Sequence, residues 1–103
     1  MPKSYLVTAV EFSGDQRPVR SGLYLRRMAG GGIEDGSFTW SYFTARTKVW
    51  GCWSFLSEPR GAYEARTEPS FYQRLPWYAL PLQIPSGARI ERVSGLTFRV
   101  TEA

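Results

Sequence analysis

Residues 37–56 read SFTWSYFTARTKVWGCWSFL, and this stretch constrains the fold more than any other. Threonines and aromatic rings dominate it, side chains that lose rotamer freedom in a helix and pack well on a pleated sheet. With a period of two, Phe43, Ala45, Thr47, Val49, Gly51, Trp53 and Phe55 share one face, while Trp50 and Cys52 fall on the other. Both faces are then apolar near the end of the run. Such a strand needs cover on two sides, a core on one and a further layer or a partner on the other. With a helical period, Tyr42, Ala45, Val49, Cys52 and Leu56 form a stripe, so a helix over 41–56 in an α+β fold is the alternative. Gly51 and the threonines favour the strand, with Val49, Trp53 and Phe55 inward and Trp50 outward.

The flanking sequence agrees with a β domain. Ser4 to Phe12 alternates, Leu6, Thr8, Val10 and Phe12 against Tyr5, Val7, Ala9 and Glu11, and apolar residues on both faces predict one central strand. Gly14, Asp15 and Pro18 supply a turn into a second strand over 21–28. The run AGGGIEDG, Ala29 to Gly36, reads as a loop and lacks the Lys-Ser/Thr that would make it a phosphate cradle. Ser57 and Thr67 each precede a glutamate and a proline, Glu58-Pro59 and Glu68-Pro69, the pattern of a capped first helical turn. Pro76, Pro81 and Pro85 make the next segment extended and edge-like. Ser94-Gly95 joins two arms, Ala88 to Val93 and Leu96 to Val100, as a hairpin. The expectation is one domain over 1–103, mainly β, a small antiparallel sandwich or partly open barrel with one or two short helical turns.

Residue types absent from the chain narrow its chemistry. It has no histidine, the commonest general base and metal ligand, and a single cysteine, so Ser-His, Cys-His, histidine- or cysteine-based zinc and internal disulfide arrangements are excluded. Cys52 sits among tryptophans, the setting of an inert buried thiol. Glu58, Glu64 and Glu68 could supply a carboxylate pair, but their spacing is that of a solvated helix face. No enzymatic activity, metal or cofactor is expected. Prolines interrupt the stretch of lowest charge, 75–86, so no spanning helix is expected. The N-terminal residues lack a signal peptide's apolar core, and a cytoplasmic location is the simplest reading.

Binding is the remaining class of function. Aromatic residues make 16% of the chain and eleven of its thirteen cations are arginine, a combination enriched at the centres of protein interfaces. A GC-rich genome can also produce an arginine excess. The candidate interface residues are Trp40, Tyr42, Trp50, Trp77 and Tyr78, with Arg26, Arg27 and Arg46. This predicts a protein-interaction module, a subunit of a larger assembly or a small inhibitor. Virus-encoded proteins of this size include both kinds, and for one of these the location is the host cytoplasm or the virion. Self-association would cover the second apolar face. The alternatives are single-stranded nucleic-acid binding, with phosphates on Arg20, Arg26, Arg27, Arg46 and Lys48, and a carbohydrate-binding module with Trp77-Tyr78 as its platform.

Overall fold

The computed structural model describes residues 3–27, 38–81 and 87–102. In chain order its elements are β1 (Ser4–Thr8), β2 (Val10–Phe12), β3 (Gly22–Arg27), β4 (Phe38–Thr44), β5 (Val49–Trp50), β6 (Ser54–Phe55), α1 (Pro59–Glu64), β7 (Trp77–Ala79), β8 (Arg89–Ser94) and β9 (Thr97–Thr101). They form two antiparallel sheets, a small one ordered β1-β9-β8 and a larger one ordered β2-β7-β3-β4-β5, with β6 also on β4. Among the described residues the chain is a small β-sandwich with one short helix. Among the described residues no helix is long and apolar enough to cross a membrane.

Register on the larger sheet sorts its side chains. Leu23, Leu25 and Arg27 stand opposite Tyr42, Trp40 and Phe38, and Tyr24 and Arg26 stand opposite Ser41 and Thr39. The first set faces the small sheet: Leu25, Phe38, Trp40 and Tyr78 pack with Val7, Ile90, Phe98 and Val100 in one buried cluster that also takes Ala62 of α1. Rings interlock there edge to face, Phe38 lying 5.1 Å from Tyr78 and 5.3 Å from Phe98. Gly61 lets α1 approach closely, since a Cβ on it would lie 3.1 Å from Ser54 Cβ. The second set builds a separate cluster of Phe43, Trp50 and Trp77, joined by Phe12 and Tyr24.

Several expectations are corrected. Ser4 to Phe12 is not one central strand. It breaks at Ala9, whose N–H donates to the Leu96 carbonyl, and the chain crosses there from the edge of one sheet to the edge of the other. Only Tyr5 and Val7 of β1 and Phe12 of β2 turn inward, while Leu6 and Val10 are exposed apolar side chains that imitate a second packed face, so the apolar pattern carries no mark of the crossing. Residues 37–56 are neither one strand nor a helix: a turn at residues 45–48, with Lys48 in the left-handed region at φ 57°, folds β5 back on β4. Trp50 stands beside Phe43 on the face away from the small sheet yet is 1% exposed, while Trp53 and Phe55, expected inward, are exposed. β7 lies between β2 and β3 rather than at an edge, because Pro76 and Pro81 flank it and leave its own N–H groups free to pair. Thr67 starts no second helix. The terminal hairpin forms, with a register shift between Arg92 and Ser94 and with Gly95 at φ 51°. The Ala29–Gly36 run and Pro85 lie outside the described residues.

Candidate functional site

The outer face of the larger sheet is the second apolar face that the sequence implies, and the chain covers it with its own residues 66–76. Gln73 anchors this cover. Its Oε1 accepts from the Trp50 N–H at 2.8 Å, and its Nε2 donates to the Trp50 and Ser70 carbonyls, each at 2.8 Å. One side chain thus satisfies both backbone groups of Trp50, as a neighbouring strand would. The Ser70 N–H donates to the same Trp50 carbonyl, and the Cys52 N–H donates to Glu68. From the other side, Arg17 Nη1 donates to the Gln73 carbonyl at 2.8 Å. Burial of Trp50 therefore needs no second copy of the chain.

Beneath the cover runs an aromatic stack. Phe12 lies flat on Trp77 at 4.2 Å, Tyr24 meets Trp77 edge-on at 5.1 Å, and Trp50 is 4.9 Å from Phe43. The stack ends in a charge: the Arg26 guanidinium sits 4.4 Å over the Trp50 ring. Arg26 is 1% exposed, and its Nε and Nη2 have no hydrogen-bond partner. Burial, reinforced by the charge of Arg17, pushes its pKa down to about 10, so it remains a cation at neutral pH. No described ion pair includes it; the pairs are Arg60–Glu64, Arg74–Asp15 and Arg99–Glu91. A desolvated cation–π contact stabilises by about 2 kcal/mol, against a cost of several kcal/mol for burying an unpaired ion.

Arg26 forms the floor of a cavity of about 280 Å³. Thr39 and Ser41 share the floor, and Trp53, Ser70, Tyr72 and Leu75 make its walls. Ser41 Oγ is also buried without a partner. Trp53 and Tyr72 of the walls are 44% and 48% exposed; Phe55, 61% exposed and opposite Thr39, has its ring 5.1 Å from that of Trp53, and Phe71, 92% exposed, has its ring 5.1 Å from that of Tyr72. A larger cleft, about 950 Å³, opens between α1 and the start of β8. Its floor of Leu25, Trp40 and Tyr78 is apolar and carries no unpartnered buried polar atom. Glu58 and Glu64 stand on its wall, and Glu64 pairs with Arg60.

Most of the candidate interface residues cannot present a surface. Trp40, Trp50, Trp77, Tyr78 and Arg26 are all buried. Their polar atoms are satisfied inside: Trp40 Nε1 donates to the Leu56 carbonyl, Trp77 Nε1 to the Gln16 carbonyl, and the Tyr78 hydroxyl to Glu11 Oε1 at 2.8 Å. Trp77-Tyr78 consequently offers no platform to a sugar. Tyr42 is half-buried against Tyr63 on the face that carries α1. Arg27 projects to the opposite face from Arg26, and Arg46 is exposed in the β4–β5 turn. Of the set proposed for phosphates, Arg20, Arg46 and Lys48 gather at one end of the sheet, where the Ala45 N–H donates to Ser21 Oγ. Arg26 and Arg27 sit at the other end. Cys52 is half-buried with Sγ 3.6 Å from the Pro69 carbonyl. The sequence reading missed Trp53, Phe55, Phe71 and Tyr72 as surface residues. Pro69 and Pro76, which hold the last two outside any strand, were the available signal.

Compared with protein-family models, curated proteins and solved structures, the chain matches none of them. The site is read from its own geometry.

Proposed function

We propose that this chain is a non-enzymatic protein-interaction module, a subunit of an assembly or a small inhibitor. Its binding face is the aromatic crest of Trp53, Phe55, Phe71 and Tyr72 around the cavity over Arg26. One observation carries this reading: two exposed aromatics, Trp53 and Tyr72, each in ring contact with a further exposed one, Phe55 and Phe71, line the cavity of a buried arginine with two unpartnered nitrogens. Exposed apolar residues scattered singly need no explanation, whereas a contiguous patch with a polar centre is the anatomy of an interface. The crest replaces the face first suggested by Trp50 and Trp77, which serve the core. Stacking of nucleic-acid bases on Phe71 is the competing use of such rings.

The test is selection of a displayed random-peptide library on the folded chain, counter-selected on the Phe55→Ala/Phe71→Ala double variant. Single-stranded oligonucleotides and glycans are assayed in parallel. The expected result is enriched peptides that bind the parent at least about tenfold more tightly than the variant, a difference of 1.4 kcal/mol. Salt-sensitive oligonucleotide binding without peptide enrichment, or peptides indifferent to the substitutions, would overturn the proposal.

A further inference from the structure

We propose that the cavity over Arg26 receives one acidic side chain of a polypeptide partner, its carboxylate held side-on by Arg26 Nε–H and Nη2–H with Ser41 Oγ–H as a third donor. This rests on the crest being a protein-binding face, and it names the chemistry at its centre.

Three observations carry it. First, the unpartnered nitrogens are Nε and Nη2, which lie on the same edge of the guanidinium. Their N–H bonds run parallel and match the two oxygens of a carboxylate, the most specific pairing an arginine makes. Second, the remaining unpartnered buried side-chain atom among the described residues, Ser41 Oγ, belongs to the same cavity. Ser41 stands diagonally across the β3–β4 ladder from Arg26 on the same sheet face, within reach of one small ligand. Third, among the described residues that line it the cavity has one cation and no anion, and its walls include Leu75 and Trp53. At about 280 Å³ it falls just below the range of small-molecule pockets and suits a side chain whose methylenes lie on those walls.

Charge decides between oxyanions. A carboxylate neutralises Arg26 one for one, whereas a phosphate dianion would leave net negative charge in a cavity whose described lining has no second cation. The next cation, Arg17, has its Nη1 engaged with the Gln73 carbonyl.

The test follows the Arg26 Nε–H resonance, assigned by its loss in Arg26→Lys, in ¹⁵N-labelled full-length chain. Sodium propionate, propionamide and inorganic phosphate are titrated at constant ionic strength. Propionate is expected to shift the resonance saturably and raise Tm, phosphate to act more weakly and propionamide not at all. Ser41→Ala, which keeps the floor packed, should weaken propionate about tenfold, the loss of one hydrogen bond to a charged group. An absent shift, equal responses to acid and amide, or a stronger response to phosphate would overturn the proposal. So would a shifted Arg26 signal in ligand-free Glu34→Gln/Asp35→Asn, since the chain's own carboxylate would then hold the site. The two proposals fail separately. Neutral peptides selected on the crest would leave the interaction face standing and remove the acid receptor. Propionate binding without crest-dependent peptides would keep a carboxylate site over Arg26 and remove the polypeptide partner as its source.

Discussion

The Arg26 guanidinium lies 4.4 Å above the Trp50 ring, and each residue depends on the other being enclosed. Trp50 gives the cation the face of a π-system where water is excluded, and Arg26 caps the aromatic stack that the outer sheet face would otherwise expose. A tryptophan that composition suggests as a contact residue is instead the base of the site.

Trp50→Ala should therefore damage the fold. Removing a fully buried tryptophan costs about 3–5 kcal/mol, and here it also strips Arg26 of its only aromatic support among the described residues. Urea unfolding is expected to show a lower midpoint with Trp50→Phe intermediate. An unchanged midpoint would return Trp50 to the surface.

Gln73 should matter more than a polar loop residue normally does. In Gln73→Ala the buried Trp50 N–H loses its acceptor, at a cost of about 1–3 kcal/mol. Gln73→Glu can accept that N–H but turns a carboxylate toward the Trp50 and Ser70 carbonyls. Its carboxyl should hold its proton more tightly folded than unfolded, so this variant should lose stability as pH rises through the carboxylate range. Equal urea midpoints for the variant at acid and neutral pH would contradict the clamp.

Gly14 locks the cover from the opposite loop. A Cβ there would fall 1.8 Å from the Arg74 carbonyl oxygen, inside any permitted contact. Gly14→Ala should push residues 73–75 outward, destabilise by about 1–3 kcal/mol, and red-shift the tryptophan emission as Trp50 and Trp77 gain water. Parent-like emission and stability would show that the two segments are independent.

Tyr78 gives the fold an alkaline limit. Burial, and then its hydrogen bond and proximity to Glu11, push its hydroxyl up to about 12 from 10.0. With the folded value the higher, the stabilisation is complete below about 10 and is lost as pH rises through about 12. A tyrosinate absorbance titration should show a late-titrating hydroxyl that is missing in Tyr78→Phe. Loss of Glu11 Oε1 as acceptor should cost that variant about 1 kcal/mol at neutral pH.

How far the sequence spoke depends on where the chain turns. The terminal hairpin was legible because Gly95, at φ 51°, is the residue such a turn demands. The turn at residues 45–48 was not. It has no glycine, asparagine or proline, and its left-handed position is filled by Lys48, so an alternation counted through it puts Trp50 on the face opposite Phe43, whereas the two are cross-strand neighbours on one face. Composition correctly suggested that some aromatics are exposed, yet it named Trp50, Trp77 and Tyr78 where the structure exposes Trp53, Phe55, Phe71 and Tyr72. Arg26 was read as a surface cation because arginine is seldom fully buried. Its burial follows from Gln73 and the cover, a contact between residues far apart in sequence that no local pattern encodes.

The most direct measurement pairs affinity with stability. Affinity for the tightest selected peptide and Tm are determined for the parent and for Phe55→Ala/Phe71→Ala. Both side chains are largely exposed, so Tm should stay within what surface substitutions cause, about 0.5 kcal/mol, while affinity falls at least about tenfold. Retained affinity, or affinity lost only in step with Tm, would contradict a binding face on the aromatic crest.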